Sequence, residues 1–295
     1  MKKAVVLFNP KAGNKESFAK AKEKLTAFLE GKESVFTDVT ATEDYAALFA
    51  SLSPEDDIYI LGGDGTLNHF VNDTANIDFE NDVYYFAAGT GNDFLNDIEG
   101  ADADRPLLIN KYIKNLPIVT VNGKDYRFLN GIGYGIDGYC CEVGDEQKLK
   151  SDKPVNYTSI AIKGLLFHYK PANATVIVDG KEYKYKKVWI APTMNGRFYG
   201  GGMMPTPDQD RLDEEHKVSL CLMYGSGKIH TLMVFPSLFK GEHVKHDKMV
   251  AVHKGHSITV KFDRPTALQI DGETVKGVTE YHVKSGVPAY AAIAE

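Results

Sequence analysis

The sequence predicts an α/β domain followed by an all-β one: a parallel sheet with helices over residues 1–117, then a mainly antiparallel β-sandwich with a few helices over 118–295. Three observations carry this. Short apolar runs alternate with helix-period stripes through the first domain. Beyond Pro117 the pattern changes to closely spaced strand candidates joined by Asn-Gly and Asp-Gly turns. A length of 295 residues also favours two domains over one.

Ala4–Phe8, Val35–Val39, Ile58–Leu61 and Val83–Ala87 are short, mainly apolar runs, consistent with buried parallel strands. Between the first two, Phe18, Ala21, Leu25, Phe28 and Leu29 form a helical stripe with Asn14 as N-cap and Gly31 as its stop. Thr42 is placed to cap a second helix carrying Tyr45, Leu48, Phe49 and Leu52. A further helix is expected from Pro106 to Asn115. Past the boundary, Val119–Val121 and Tyr126–Leu129 flank Asn122-Gly123, and Val176–Val178 and Tyr183–Tyr185 flank Asp179-Gly180. Both pairs suit a type I′ turn. Strands follow at Val188–Ala191, Val218–Met223, Ile258–Phe262, Leu268–Ile270, Tyr281–Val283 and Tyr290–Ile293, with helical patterns at Tyr157–Phe167 and His230–Phe239. The C-terminal end is a candidate to pack back on the first domain.

Composition excludes several classes. At 43% hydrophobic and 25% charged the chain reads as globular. Nothing approaches the roughly 18 apolar residues of a membrane span, and the run after Met1-Lys2-Lys3 is too short for a signal peptide. Cys140, Cys141 and Cys221 support neither a disulfide framework nor a zinc motif, which points to a reducing cytoplasm. A net charge of -6 argues against nucleic acid as a partner. Contact with an anionic membrane must then rest on local patches or apolar loops.

The chemistry concentrates in glycine loops. The strand Ile58–Leu61 ends in Gly62-Gly63-Asp64-Gly65-Thr66 with a helical pattern after it. Glycine weakens strands and helices, so three around one carboxylate fit a backbone that closely approaches phosphate oxygens. A tight strand-to-helix turn is the plainer alternative. Asn9-Pro10-Lys11-Ala12-Gly13 and Gly89-Thr90-Gly91-Asn92-Asp93 follow two other strands. In an open parallel sheet all three loops share one edge, where ligands bind. Gly133-Tyr134-Gly135-Ile136-Asp137-Gly138 matches a dinucleotide fingerprint but follows a predicted hairpin, so tight loop geometry is the simpler reading.

Taken in order, NPKAG, GGDGT, GTGNDF, Asn195–Gly202 (NGRFYGGG) and Gln269-Ile270-Asp271-Gly272-Glu273 make the chain similar to the soluble bacterial diacylglycerol kinase family, which includes sphingosine and ceramide kinases. The resemblance covers nearly the whole chain. It implies an α/β nucleotide-binding domain followed by a β-rich lipid-substrate domain, and ATP- and Mg²⁺-dependent phosphorylation of a lipid alcohol, diacylglycerol to phosphatidic acid, at the cytoplasmic membrane face. By that resemblance Asn9, Pro10, Gly13, Gly62, Gly63, Gly65, Thr66, Gly89, Thr90 and Asn92 line the nucleotide, and Asp64 and Asp93 hold the Mg²⁺. Asp271 is the base for the lipid hydroxyl and Glu273 assists it; Glu214 takes the place of an aspartate that binds a structural Mg²⁺. A hairpin turn is the local alternative for Asp271-Gly272.

The chain departs from that family at three places: His69 stands for a usual glutamate, Val119-Thr120 for an aspartate, and the segment Asp210–Glu215 lacks a glycine. A NAD kinase-like or other small-molecule kinase, and a catalytically weakened lipid- or nucleotide-binding regulator, are the rival functions. Seven histidines between His216 and His282 read as a polar, solvated surface, with a zinc site as the alternative. The run Lys181–Lys187 alternates Lys with Tyr and reads as an edge strand, with membrane contact as its alternative. An edge strand also leaves room for a homodimer.

Overall fold

The computed structural model describes residues 2–10, 15–42, 44–89, 91–151 and 155–286. The chain divides into two compact units, Met1–Lys114 and Asn115–Glu295. In the first, β1 (Ala4–Phe8), α1 (Lys15–Phe28), β2 (Ser34–Asp38), α2 (Tyr45–Ala50), β3 (Asp57–Gly62), α3 (Asp64–Asp73), β4 (Val83–Ala87), α4 (Asp93–Asn96), β5 (Leu107–Leu108) and α5 (Asn110–Ile113) follow one another. The sheet order is β2-β1-β3-β4-β5. β1 to β4 are mutually parallel, with Phe8 beside Leu61 and Gly62 beside Ala87, so β1, β3 and β4 end on one edge. Burial of β3 along its whole length explains its uninterrupted apolar run. Ala21 and Leu25 of α1 pack on Tyr59, Leu61 and Phe86, and Gly31 at φ 83 ends the following turn.

Three local expectations change. Asp44, not Thr42, caps α2: its carboxylate accepts from Ala47 N at 2.8 Å, while the Thr42 hydroxyl donates back to Asp38 O. A carboxylate is the stronger partner for the positive end of a helix. The helix expected over Pro106–Asn115 shrinks to α5, because Leu107–Leu108 pairs antiparallel with Tyr84 and Tyr85 and closes the open edge of β4. The parallel sheet therefore has one antiparallel edge strand. The Asn14 cap lies outside the described residues.

The second unit contains β6 (Ile118–Val121), β7 (Lys124–Arg127), β8 (Gly131–Tyr134), α6 (Ile136–Lys150), α7 (Tyr157–Lys163), β9 (Ala172–Val178), β10 (Lys181–Val188), β11 (Thr193–Met194), β12 (Val218–Met223), α8 (Lys228–Val234), β13 (Val250–Gly255), β14 (Ser257–Ile270) and β15 (Glu273–Lys284). Among the described residues these ten strands form one antiparallel sheet. β14 is the organiser: Ile258–Phe262 pair with β9, and Leu268–Ile270 pair with β8. Irregular register with β15 between these stretches lets the sheet bend. Tyr134 stacks on Phe262 at 3.9 Å and meets Tyr281 edge-on at 5.5 Å in the main core. Asn122 and Asp179 have φ of 50 and 47, each followed by a positive-φ glycine, as type I′ turns require.

The largest difference is α6. Gly133–Gly138 is not a loop but the junction of β8 with this helix. A Cβ on Gly138 would lie 1.9 Å from Ala267 O, and Gly135 sits at φ 103 against the Trp189 carbonyl, so these glycines let α6 lie directly on β14. Val188–Ala191 is not one strand either; β10 ends at Val188 and Ile190 makes only isolated bridges. The histidines are not uniformly solvated. His243 is fully buried, its ring against Pro205 O at 2.9 Å, and burial lowers its pKa. Among the described residues no group of three or more His, Cys, Asp or Glu could hold a metal ion, and no helix is long and apolar enough to cross a membrane. Among the described residues β10 pairs only with β9, its lysines outward and Tyr183 packed on His253, as an edge strand should be. Tyr290–Ile293 and the chain end lie outside the described residues.

Candidate active site

The shared edge of β1, β3 and β4 gathers the first cluster. Asn9 N donates to Leu61 O at 3.3 Å, and Ala88 N to Gly62 O at 2.8 Å, which ties the loops after all three strands together. A Cβ on Gly62 would fall 2.3 Å from Thr66 Oγ1, and one on Gly89 would fall 2.8 Å from Gly63 Cα. The two glycine loops thus touch backbone to backbone, which no larger residue permits. Gly65 has open space around it, so its lack of a side chain leaves the first turn of α3 approachable. Pro10 directly follows Asn9 and is exposed. Gly13 and Thr90 lie outside the described residues.

Asp64 opens α3, and its carboxylate reaches across to the start of α4. Oδ2 accepts from Asp93 N at 2.7 Å and Oδ1 from Phe94 N at 3.4 Å. Asp93 is buried directly beneath that bond. Asn92 holds the turn at φ 45, donating to Gly89 O at 3.1 Å. Two carboxylates therefore stand beside a cradle of glycine backbone, an arrangement that fits a polyphosphate only together with a divalent cation. His69 points out from α3 and is exposed. Tyr85, a residue the sequence did not single out, lies beneath this cluster. Its ring meets Phe94 edge-on at 5.7 Å, its hydroxyl is buried without a hydrogen-bond partner, and burial together with the Asp64 charge raises its pKa.

A second cluster forms around Leu129-Asn130-Gly131, just ahead of β8. Asp271 and Gly272, at φ 45 and 99, make the β14–β15 turn. The Asp271 carboxylate accepts three backbone N–H groups, from Leu129 at 2.5 Å and from Asn130 and Gly131 at 2.9 Å each. On the opposite side of the segment, Asn195 Nδ2 and Arg211 Nη1 donate to Leu129 O, Arg211 Nη2 donates to Asn130 Oδ1, and Asn195 N and Gly196 N donate to Asn130 O. Motifs far apart in sequence thus meet on three residues. Glu273, at the head of β15, is exposed, as is Glu214, three residues past Arg211. Thr120 is bonded to Asp125 at 2.6 Å across the β6–β7 hairpin.

Behind this cluster lies Asp137, in the first turn of α6. It is buried, and the Tyr199 hydroxyl donates to its Oδ2 at 2.7 Å. Burial pushes its pKa up to about 7, against the lowering effect of that bond. The glycine fingerprint around it was a visible signal, though of helix packing rather than of a buried acid. Arg211 gave none, since its partners are distant in sequence.

Two family models match the chain: the diacylglycerol kinase catalytic domain over residues 3–118, and the YegS C-terminal NAD kinase beta sandwich-like domain over residues 130–290. A diacylglycerol kinase of Bacillus subtilis is 26% identical over 283 residues, covering 92% of this chain and 90% of that one. A crystal structure of a diacylglycerol kinase from Bacillus anthracis aligns with TM-score 0.58 at 18% identity, covering 97% of this chain and 94% of the other. Yeast NADH kinase complexed with NADH aligns at TM-score 0.50 and 13% identity, over 97% and 81%.

Proposed function

The chain belongs to the bacterial diacylglycerol kinase and lipid kinase family, and from that premise we propose that it transfers the γ-phosphate of ATP to a lipid hydroxyl, diacylglycerol giving phosphatidic acid. Two observations support this reading, each within its own unit: in the first, a glycine cradle bearing Asp64 and Asp93, and in the second, a carboxylate, Asp271, fixed by three backbone donors. Asn9, Pro10, Gly13, Gly62, Gly63, Gly65, Thr66, Gly89, Thr90 and Asn92 position the nucleotide. Asp64 and Asp93 would hold Mg²⁺, which supplies charge neutralisation on the phosphates. Asp271 accepts the proton of the lipid hydroxyl as it attacks in line, and Glu273 assists two residues away. Glu214 is the candidate ligand for a structural cation. Work is expected at the inner face of the cytoplasmic membrane, where such an acceptor lies.

The fold likeness to a NADH kinase favours a second reading, phosphorylation of a dinucleotide. One assay separates them. The purified chain is given γ-labelled ATP, Mg²⁺ and two competing acceptors, micellar diacylglycerol and NAD. Label recovered in the lipid supports the proposal. Label in the dinucleotide transfers the assignment to the rival, and label in neither, with ATP bound, points to a regulator.

A further inference from the structure

The backbone donors that fix Asp271 are themselves fixed. Leu129–Gly131 donate to the Asp271 carboxylate, and Asn195 and Gly196 brace the same segment from its other side. Asn195 opens a loop whose far end is Tyr199. There Tyr199 N donates to Met203 O at 3.0 Å and Met203 N to Tyr199 O at 3.1 Å. The buried Tyr199 hydroxyl fastens that end to Asp137 at 2.7 Å. Asp137 is a firm post, because α6 starts with Ile136 N donating to Trp189 O at 2.9 Å and Gly138 lets it lie on Ala267 of β14. The path then returns to its start. A Cβ on Gly133 would fall 2.7 Å from both Asp137 Cβ and Gln269 Nε2, so these two side chains close over one glycine. Gln269 Oε1 accepts Gly272 N at 2.6 Å, inside the Asp271 turn.

Asn130, Asp137, Asn195, Tyr199 and Gln269 are all buried. Such groups cost stability unless they are bonded, and a closed set of them holds a single arrangement. We propose that Tyr199 and Asp137 are positioning residues for the transfer reaction: through the Asn195 loop they set the backbone donors that aim Asp271. The inference rests on the kinase reading for the role of Asp271. Among the described residues, the titratable groups facing Asp137 are Tyr199 from the loop, Cys140 and Cys141 from α6 itself, Cys221 from β12, and Tyr169 beyond the π-helical turn Gly164–His168. Burial raises all five, so of this group Asp137 alone changes charge near neutrality. A charge appearing in that packing loosens the post, and the aim of Asp271 weakens as pH rises.

The test combines hydrogen exchange of the full chain with steady-state transfer from ATP to micellar diacylglycerol. Tyr199→Phe removes the bond to Asp137 and should speed amide exchange at Leu129–Gly131 on the order of tenfold, leaving the other strands of the second unit as they were. Its kcat should fall on the order of tenfold with KM for ATP within about twofold of the parent. Asp137→Asn keeps an acceptor for Tyr199 and cannot ionise. At about pH 8 it should therefore exchange more slowly at Leu129–Gly131 and turn over faster than the parent, a difference that closes by about pH 6. Parent-like exchange and kcat in Tyr199→Phe overturn the proposal. So does faster exchange spread evenly through the second unit, or an Asp137→Asn profile parallel to the parent's; that comparison decides the matter alone if Tyr199→Phe does not fold. A parent that labels no lipid removes the kinase reading, while exchange at Leu129–Gly131 still decides whether Tyr199 and Asp137 hold the Asp271 turn.

Discussion

Replacing Asp137 by Asn should flatten the pH dependence of the second unit's stability. Tyr199 keeps an acceptor in the amide oxygen, so the substitution mainly removes a titrating proton. Ionising a buried carboxyl held at about 7 against an ordinary 3.8 costs roughly 4 kcal/mol, at about 1.4 kcal/mol per pH unit. The folded form keeps its proton up to about 7 while the unfolded form loses it near 3.8, so in that window the unfolded chain binds fewer protons and stability falls as pH rises. Integrated from about pH 5.5 to about pH 8, the loss specific to the parent is about 2 kcal/mol. Urea unfolding followed by fluorescence reads it cleanly: Trp189 is the sole tryptophan, is 1% exposed, and its carbonyl accepts Ile136 N at 2.9 Å, one residue before Asp137. The parent's melting temperature should fall about 4–8 °C further than the variant's over that range. Parallel pH profiles for the two proteins would refute the buried-acid argument.

Three further outcomes follow from the geometry. Gly89→Ala forces a Cβ to within 2.8 Å of Gly63 Cα and should destabilise the first unit by about 2 kcal/mol or more while weakening ATP binding; Gly65→Ala, with open space around it, should leave stability nearly unchanged yet weaken ATP binding, because its Cβ covers the approach to α3. Thermal unfolding distinguishes the pair, and calorimetric titration with ATP and Mg²⁺ reads the loss of affinity in both. Tyr85→Phe deletes a buried hydroxyl with no partner and should leave stability unchanged or raise it by about 1 kcal/mol, measured by thermal unfolding; a clear loss would reveal a missed bond. Arg211→Met strips donors from Leu129 O and Asn130 Oδ1 and should cost about 1–3 kcal/mol, lowering turnover with ATP affinity unchanged.

Much of the fold was legible because local chemistry and tertiary role agreed. An uninterrupted apolar run is what a fully buried strand needs, and β3 has both. Asn122 and Asp179 tolerate the left-handed backbone that their hairpins impose. The failures share a cause: the deciding partner is elsewhere in the chain. β5 exists because β4 has an edge to cover, and Leu107-Leu108 alone cannot announce a strand. α6 hides because its short apolar stripe, Ile136, Tyr139, Cys140 and Val143, is interspersed with Asp137, Gly138 and Gly144, residues that read as loop rather than helix. In the candidate site, the glycine loops could be read from their spacing. The hub at Leu129–Gly131 could not, because apart from Asn130 Oδ1 it is backbone groups that meet Asp271, Asn195 and Arg211, and these carry no signal in the sequence. The ionisation of Asp137 depends on burial, which no motif encodes.

The central claim is that the Asp271 carboxylate takes the acceptor's proton while the glycine loops hold the nucleotide. Turnover and ATP affinity of Asp271→Asn, taken from the same sample, address it most directly. An amide nitrogen set against one of three N–H donors also strains the turn, so the affinity reading serves as the check that the protein is folded. Turnover on diacylglycerol should fall on the order of 100-fold or more with ATP affinity within about twofold of the parent. Undiminished label in the lipid product would contradict the claim.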